Sequence, residues 1–176
     1  MTLVFDPQVF TVKPPWGRRA SSGRVRNFSN IRWSDDVPRS NFRARGAKKV
    51  GLAYERRVLD VLSAIYGSAF EASPVIRYDV GSGERRKSKA AIPDGILRFG
   101  QWVLVIEVKL AHTERVWEQL MMRYLPLVRA LEPQRQVRTI EVCRSYDPAI
   151  SLPGPHTLTT SLHKPGTGLE VLQWKL

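Results

Sequence analysis

Two hydrophobic runs near the middle of the chain predict adjacent β-strands. The first run covers residues 92–99, and the second covers residues 101–109 and contains the almost purely apolar stretch Trp102-Val103-Leu104-Val105-Ile106. A short continuous apolar run of this kind is typical of a central strand covered on both faces. Further strands are predicted over residues 75–80, 136–143 and 169–176. The last of these is expected at the sheet edge, paired with residues 156–162.

Apolar residues at helical spacing predict two helices. The first covers residues 47–66 and ends before Gly67, and its apolar stripe comprises Tyr54, Val58, Val61, Leu62 and Ile65. The second covers residues 113–131, where Pro126 is expected to introduce a kink. Its stripe comprises Trp117, Leu120, Met121, Tyr124, Val128 and Leu131. The order of helix, three strands, helix and strand predicts an α/β protein with a central mixed β-sheet flanked by helices.

The 176 residues divide by pattern into one domain with two extensions. Residues 47–145 form the predicted core, and residues 146–176 form a turn-rich C-terminal extension with a possible edge strand. Residues 1–46 have little periodicity and predict a basic, largely irregular N-terminal arm. Its arginines are interspersed with aromatic residues, which suits contact with phosphates and stacking on bases. The alternative is a solubilising tail whose aromatic residues pack on the core.

Composition narrows the class of partner. The net charge is +12 and the pI is about 10.4, so the chain is expected to attract polyanions. A single cysteine, Cys143, excludes an internal disulfide and a thiolate zinc cluster. No apolar stretch approaches the roughly 18–20 residues that span a membrane. We therefore expect an intracellular protein. The charge by itself does not distinguish nucleic acid from an acidic membrane or an acidic protein partner.

The candidate chemistry lies at the ends of the two central strands. Pro93-Asp94 opens the first strand, and Glu107-Val108-Lys109 closes the second. Side chains at positions i and i+2 of a strand share a face, so Glu107 and Lys109 point the same way. Burying them is costly without partners, and a divalent cation held by Asp94 and Glu107 would supply one. The alternative is an ion pair at the strand edge beside a turn-forming Asp94.

Glu55 is a charged residue on the apolar side of the first predicted helix. At 100° per residue it projects within ~20° of Leu62, inside the apolar flank. A carboxylate aimed toward the core either joins the acidic groups at 94 and 107 as a third member, or is a structural glutamate bonded to an arginine.

Basic residues form the predicted nucleic-acid contacts. One group precedes or begins the first helix and the other lies in the predicted flexible hairpin loop over residues 81–89. The candidates are Arg43, Arg45, Lys48, Lys49, Arg85, Arg86, Lys87 and Lys89. The loop is adjacent in sequence to Asp94 and either grips phosphate or is an ordinary solvated loop. Its glycines lack the spacing of a nucleotide-binding fingerprint.

From residue 51 to about residue 142, roughly half the chain, the pattern resembles the PD-(D/E)xK, or restriction-endonuclease-like, nuclease superfamily. Gly51-Leu-Ala-Tyr-Glu55-Arg56, Val105-Ile-Glu107-Val-Lys109 and Glu118-Gln119-Leu120 are most similar to the archaeal Holliday-junction resolvases and related phage enzymes. The resemblance implies an αβββαβ core with a central mixed sheet.

The same resemblance implies a set of site residues. Mg²⁺ or Mn²⁺ would be bound by Asp94, Glu107 and the Val108 carbonyl, with Glu55 reached directly or through water. Lys109 would orient the attacking water and stabilise charge on the phosphate. Several relatives carry a glutamine in the second helix that faces the site. Gln119 is the candidate here, although helical projection places it off the apolar stripe.

The function implied is a Mg²⁺-dependent deoxyribonuclease, an endonuclease acting on branched or structured DNA. With this function we expect DNA rather than RNA as partner and no membrane association. The expected location is the cytoplasm or nucleoid of a bacterial, archaeal or phage-infected cell. One alternative is a catalytically inactive nucleic-acid-binding or scaffold protein on the same fold. Another is a ribosome- or RNA-associated basic protein whose motif match is accidental. Symmetric cleavage needs two sites, so a homodimer is expected, with residues 169–176 or 137–143 as an edge-strand interface. The arm or the C-terminal tail is a possible site for a protein partner.

Overall fold

The computed structural model describes residues 28–36, 47–81, 86–152, 154, 156–159, 162 and 168–176. Its strands are β1 (Phe28–Ser34), β2 (Phe70–Ala72), β3 (Val75–Val80), β4 (Lys87–Ala91), β5 (Gly95–Phe99), β6 (Trp102–Ala111), β7 (Gln136–Ser145), β8 (His156–Thr159) and β9 (Leu169–Gln173). The helices are α1 (Ala47–Tyr66), α2 (Glu114–Gln119) and α3 (Leu125–Leu131). A 3₁₀ turn (Gly67–Ala69) follows α1, and a π-helical turn (Leu120–Tyr124) joins α2 to α3. Residues 1–27 and 37–46, most of the predicted arm, lie outside the described residues.

A mixed six-stranded sheet forms the centre of the molecule, in the order β2-β5-β6-β7-β9-β8. The β2–β5 and β5–β6 pairs are antiparallel, whereas the β6–β7, β7–β9 and β9–β8 pairs are parallel. The helix α1 packs on one face through Tyr54, Val58 and Leu62, and the α2–α3 region packs on the other. The predicted α/β class with a helix-flanked mixed sheet is confirmed, and β6 is covered on both faces as its apolar run predicts.

The strand β3 has the predicted bounds but a different partner. It pairs with β1 and β4 in a separate three-stranded sheet, and the strand beside β5 in the main sheet is β2. The predicted loop over residues 81–89 is also shorter, because Lys87 and Lys89 already belong to β4. Hydrophobic patterning identifies a strand but does not specify which neighbour it will pair with.

The strand β1 lies in the stretch that the sequence predicted to be irregular. Its pairing with β3 shifts register between Ser29 and Arg32, and Asn30 has a positive φ of 52°. A bulge of this kind interrupts the period-two alternation of side chains that marks a strand. The alternation is therefore lost in the sequence although the strand is present.

A proline pair separates the two sheets. The β2–β5 and β3–β4 pairings share one register, with Ala72 opposite Gly95 and Ile76 opposite Ala91. The same register places Pro74 opposite Pro93. Proline has no N–H to donate, so the ladder of one long hairpin is interrupted there. Asp94 lies at this break, and its carbonyl accepts a 2.9 Å hydrogen bond from the Ser73 amide.

The C-terminal extension completes the main sheet. The strand β9 lies between β7 and β8, and β7 lies between β6 and β9. The prediction that residues 169–176 or 137–143 form an exposed edge available for dimerisation is therefore wrong, because both strands are paired on each side. The edges of the main sheet are β2 and β8. The homodimer itself stays a prediction, but these two strands do not provide its interface.

The second helical region is interrupted, but before the proline. The Leu125 amide donates to the Leu120 carbonyl, which is a π-type i→i+5 bond. Pro126 lies in the first turn of α3 and cannot donate to the carbonyl four residues earlier. A π-turn takes up this irregularity without a sharp break. Among the described helices, none is both long and apolar enough to cross a membrane.

Candidate functional site

Glu107 and Lys109 form the centre of the site. Both lie on β6, two residues apart, and their side chains share the face covered by α2. Glu107 is only 1% exposed, and its Oε1 atom accepts a hydrogen bond from the Lys109 ammonium. The same oxygen accepts a 2.6 Å bond from Nε2 of Gln119. The other oxygen, Oε2, is buried and has no hydrogen-bond partner among the described residues.

Asp94 is fixed beside this pair by the backbone of β6. Its Oδ2 atom accepts a 2.6 Å hydrogen bond from the Val108 amide. The β5–β6 register, in which Gly95 is opposite Ile106, places Asp94 opposite Glu107. Burial raises the pKa of Asp94, while the bond from Val108 and the charge of Lys109 oppose that rise. Because the N–H and C=O of one residue in an antiparallel strand point to the same neighbour, the Val108 carbonyl is directed to the same side.

Glu55 interacts electrostatically with this group from α1. Its pKa is raised to about 7, first by burial and then by the charge of Asp94, while Lys109 lowers it. The pKa of Glu107 is likewise raised to about 7 by burial and by Asp94, with Lys109 opposing. No ion pair joins Glu55 to an arginine of the described residues, so the arginine-bonded alternative finds no support there.

Gln119 reaches the site because of the π-turn. In a regular α-helix, residues five apart project about 140° from each other. The π-turn holds Gln119 and Tyr124 on one side, where Nε2 of Gln119 lies 2.8 Å from the Tyr124 hydroxyl and 2.6 Å from Glu107. Helical projection from the sequence placed Gln119 off the buried stripe, which holds for an α-helix but not for this geometry. Single π-turns of this kind occur frequently at functional sites.

Tyr124 is a site residue that the sequence analysis missed. Its hydroxyl accepts the bond from Gln119 and donates a 2.9 Å bond to the carbonyl of Ile92. That carbonyl lies next to Pro93 at the proline break. Tyr124 therefore ties the helical region to the segment that carries Asp94. Nothing in the local sequence identifies this role, because an aromatic residue in the apolar stripe of a helix ordinarily packs in the core.

A second buried carboxyl group lies on the neighbouring strand. Glu141 of β7 is the register partner of Glu107, and its Oε2 atom lies 2.5 Å from Nδ1 of His112. Both side chains are fully buried. Burial raises the pKa of Glu141 to about 8, with Lys109 opposing, and burial lowers the pKa of His112. His112 lies between β6 and α2, so its bond to Glu141 of β7 fixes the start of the helical region that carries Gln119.

The donor set suits a hard cation with few protein ligands. Among the described residues, no group of three or more His, Cys, Asp or Glu side chains is placed to hold a metal ion. Mg²⁺ is commonly held by only one or two carboxylates, with water and phosphate as its other ligands. Asp94 and the unpartnered Oε2 of Glu107 provide two such carboxylates. The residues therefore fit Mg²⁺ or Mn²⁺, and do not fit a metal that requires a full protein cage.

The predicted nucleic-acid contacts are only partly described. Arg43, Arg45 and Arg85 lie outside the described residues. Lys48 and Lys49 are exposed in the first turn of α1. Arg86, Lys87 and Lys89 are exposed at and just before the start of β4. The described basic residues are thus accessible to a polyanion.

Comparison with protein-family models, with curated proteins and with solved structures finds no match for this chain. A function therefore has to be inferred from the chemistry of the side chains gathered around Glu107.

Proposed function

We propose that this chain is a metal-dependent DNA endonuclease that hydrolyses phosphodiester bonds in branched or structured DNA. One observation carries the proposal. Asp94, Glu107, Lys109 and Gln119 gather where β5 begins and β6 nears its end, in a chain with a net charge of +12. A buried carboxylate, with a half-buried carboxylate and a half-buried ammonium beside it, is costly to assemble without a function that uses it.

The topology supports a restriction-endonuclease-like core. The helix α1 is followed by β2, β5 and β6 in antiparallel order, then by the α2–α3 region, and then by β7 parallel to β6. This sequence of elements is the αβββαβ order that the resemblance implies, once β2 replaces β3 as the first strand. The three-stranded sheet of β1, β3 and β4 is an addition at the proline break.

Asp94, Glu107 and the carbonyl of Val108 would hold Mg²⁺ or Mn²⁺, and Glu55 would reach it through water. When bound, the metal polarises the phosphoryl oxygen and lowers the pKa of an attacking water. It would also be a positively charged partner for the Oε2 atom of Glu107, which has no hydrogen-bond partner among the described residues.

The protein side chains have separate tasks. Burial disfavours the ammonium form of Lys109, but Glu107, Asp94 and Glu55 raise its pKa overall, so the group stays charged at neutral pH. A fixed ammonium beside the scissile phosphate orients water and stabilises the negative charge of the transition state. Gln119 holds the Glu107 carboxylate in one orientation through its amide hydrogen bond.

Incubation with Mg²⁺ and linear, flapped and four-way DNA tests the proposal. Asp94→Asn and Lys109→Ala should each abolish cleavage, while DNA affinity stays nearly unchanged because affinity depends on many phosphate contacts. Glu118→Gln is the matched control, since Glu118 is an exposed carboxylate next to Gln119 in α2. Undiminished cleavage by Lys109→Ala, or no cleavage of any substrate by the wild type, would refute the proposal.

The satisfied Oε1 atom of Glu107 favours a second candidate, a nucleic-acid-binding or scaffold protein that does not cleave. Lys109 and Gln119 already neutralise and bond this oxygen without a metal. Such a protein would bind structured DNA, and Asp94→Asn would leave every measured property of binding intact. Metal-dependent product formation separates the two candidates.

A further inference from the structure

A pocket lies beside the candidate site, between the three-stranded sheet and the π-turn. Its volume is about 460 Å³, and it is lined by Phe28, Tyr78, Val80, Lys89, Ala90 and Arg123. The register pairs Phe28 with Val80 and Tyr78 with Lys89, so these side chains share the sheet face that turns toward the helices. Arg123 closes the pocket from the helical side.

Among the described residues, the charged side chains that line the pocket are Lys89 and Arg123, and both are positive. Neither forms an ion pair with a carboxylate in the described part of the chain. The nearest acidic residue in β3, Asp79, alternates to the opposite face and accepts a 2.7 Å bond from the Asn30 amide. Two cations without acidic partners favour an anionic ligand.

Aromatic surface accompanies the charge. The rings of Phe28 and Tyr78 meet edge to face with centroids 5.4 Å apart. Tyr78 is buried, whereas Phe28 is half-buried and keeps part of its ring accessible. A cationic pocket with an accessible aromatic ring suits a phosphate joined to a base, because the phosphate takes the cations and the base stacks on the ring.

The pocket adjoins the catalytic group. Arg123 precedes Tyr124, and its charge acts on the Tyr124 hydroxyl, which is bonded to Gln119. Lys89 precedes Asp94 by five residues along the chain, a span of at most about 18 Å. A DNA strand that spans the distance from the pocket to Asp94 would therefore need only a few nucleotides.

We infer that this pocket binds one unpaired nucleotide of a DNA strand whose neighbouring phosphates lie at the Glu107 site. The inference rests on the proposed function and specifies its substrate. A volume of about 460 Å³ is the size of a small-molecule site. A duplex instead buries about 1,000 Å² or more of protein surface and cannot enter such a pocket. The preferred substrate is therefore a fork or flap with an unpaired strand next to a duplex.

Binding without divalent metal tests the inference separately from cleavage. Fluorescence anisotropy would compare a blunt duplex, a fork of the same sequence and a free deoxynucleotide monophosphate, with EDTA present. The wild type should bind the fork about tenfold more tightly than the duplex, and Lys89→Gln with Arg123→Gln should remove most of that preference while duplex affinity changes little. Phe28→Leu should reduce fork affinity alone. Arg129→Gln, an exposed cation of α3, is the matched control.

Each result has a distinct meaning. Equal affinity for fork and duplex in the wild type overturns the inference, as does equal weakening of both ligands in the double variant, because the two cations would then be general phosphate contacts. Binding of the free nucleotide as tightly as the fork would also overturn it, since the pocket would be a small-molecule site. A fork preference that depends on Lys89 and Arg123, in a protein that cleaves no DNA, would support the pocket and refute only the nuclease proposal.

Discussion

The side-chain amide of Gln119 donates a 2.6 Å hydrogen bond to Oε1 of Glu107, and so connects the second helical region to the central strand. Lys109 donates to the same oxygen. The carboxylate is thereby oriented with its other oxygen unpartnered and directed away from both donors. Positioning of this kind is what a carboxylate needs in order to present one oxygen to a cation.

The first prediction concerns Gln119. Gln119→Ala should reduce the single-turnover cleavage rate by about 10- to 100-fold, the usual cost of removing a group that orients a metal ligand. DNA affinity should change little, because Gln119 is half-buried and uncharged. The rate would be measured at saturating DNA and at several Mg²⁺ concentrations. A normal rate would show that Lys109 alone orients Glu107. Glu118→Ala, an exposed change in the same helix, controls for the small gain in helix propensity that alanine brings.

The second prediction concerns the π-turn. Deletion of Met122, which is 51% exposed, should remove the extra residue of the π-turn and let this segment hydrogen-bond as an α-helix. Gln119 and Tyr124 are then four residues apart and project about 40° from each other, so they stay on one side. The variant should therefore stay helical by circular dichroism and cleave at nearly the rate of Met122→Ala, which removes the same side chain without shortening the helix. A fall to the rate of Gln119→Ala in the deletion variant alone would contradict this, because the π-turn would then do more than keep the two residues on one side.

The sequence predicts those parts of this fold that local patterning determines. The bounds of α1 and β3 coincide with the predicted ones, and β6 has the covered central place that its apolar run indicates. Glu107 and Lys109 share a face for the same reason, because the strand period is two residues. Asp94 is next to them because a short turn joins two antiparallel strands.

The remaining features depend on contacts between distant residues. The partner of β3 is set by the facing prolines at 74 and 93, which a single strand pattern cannot show. The pair of His112 and Glu141 depends on the parallel register of β6 and β7, which connects residues 29 positions apart. Tyr124 joins the site through a helical turn whose hydrogen bonding departs from the usual period. In each case a tertiary constraint overrides or supplements the local signal.

The third prediction concerns pH and Glu55. The pKa of Glu55 is raised to about 7 in the folded protein, whereas an unfolded glutamate titrates near 4.5. Between these values the folded state holds a proton that the unfolded state has released, so this group lowers stability as pH rises from about 4.5 to 7. Glu55→Gln should remove that loss. It should raise the unfolding free energy at pH 8 by about 1 kcal/mol, a figure reduced from the full linkage value because Glu55 is partly solvated.

Urea unfolding at pH 5 and pH 8, without divalent metal, would measure this effect. The variant and the wild type should have nearly equal stability at pH 5 and should diverge at pH 8. Addition of Mg²⁺ at pH 8 should stabilise the wild type more than the variant, because a cation offsets the repulsion between Glu55 and Asp94. A variant that is less stable than the wild type at pH 8 would contradict the raised pKa.

The fourth prediction concerns the buried pair of His112 and Glu141. Glu141→Ala leaves Nδ1 of His112 buried without its partner, and an unsatisfied buried polar group costs about 1–3 kcal/mol. Glu141→Gln keeps an amide oxygen or N–H at the same place, so it should cost less than half as much. Urea unfolding at pH 7 would compare the two variants. If Ala and Gln destabilise equally, the hydrogen bond between the two side chains contributes little to stability.

The pair should also affect catalysis, but only through α2. His112 immediately precedes Thr113, the N-cap residue of α2, and Gln119 is the last residue of that helix. Glu141→Ala should therefore slow cleavage, but not more than Gln119→Ala does. The double variant should cleave as fast as Gln119→Ala alone, because both changes act through the same contact with Glu107. A double variant that is slower by the product of the two single effects would show that Glu141 acts on the site independently, as a charge beside Lys109.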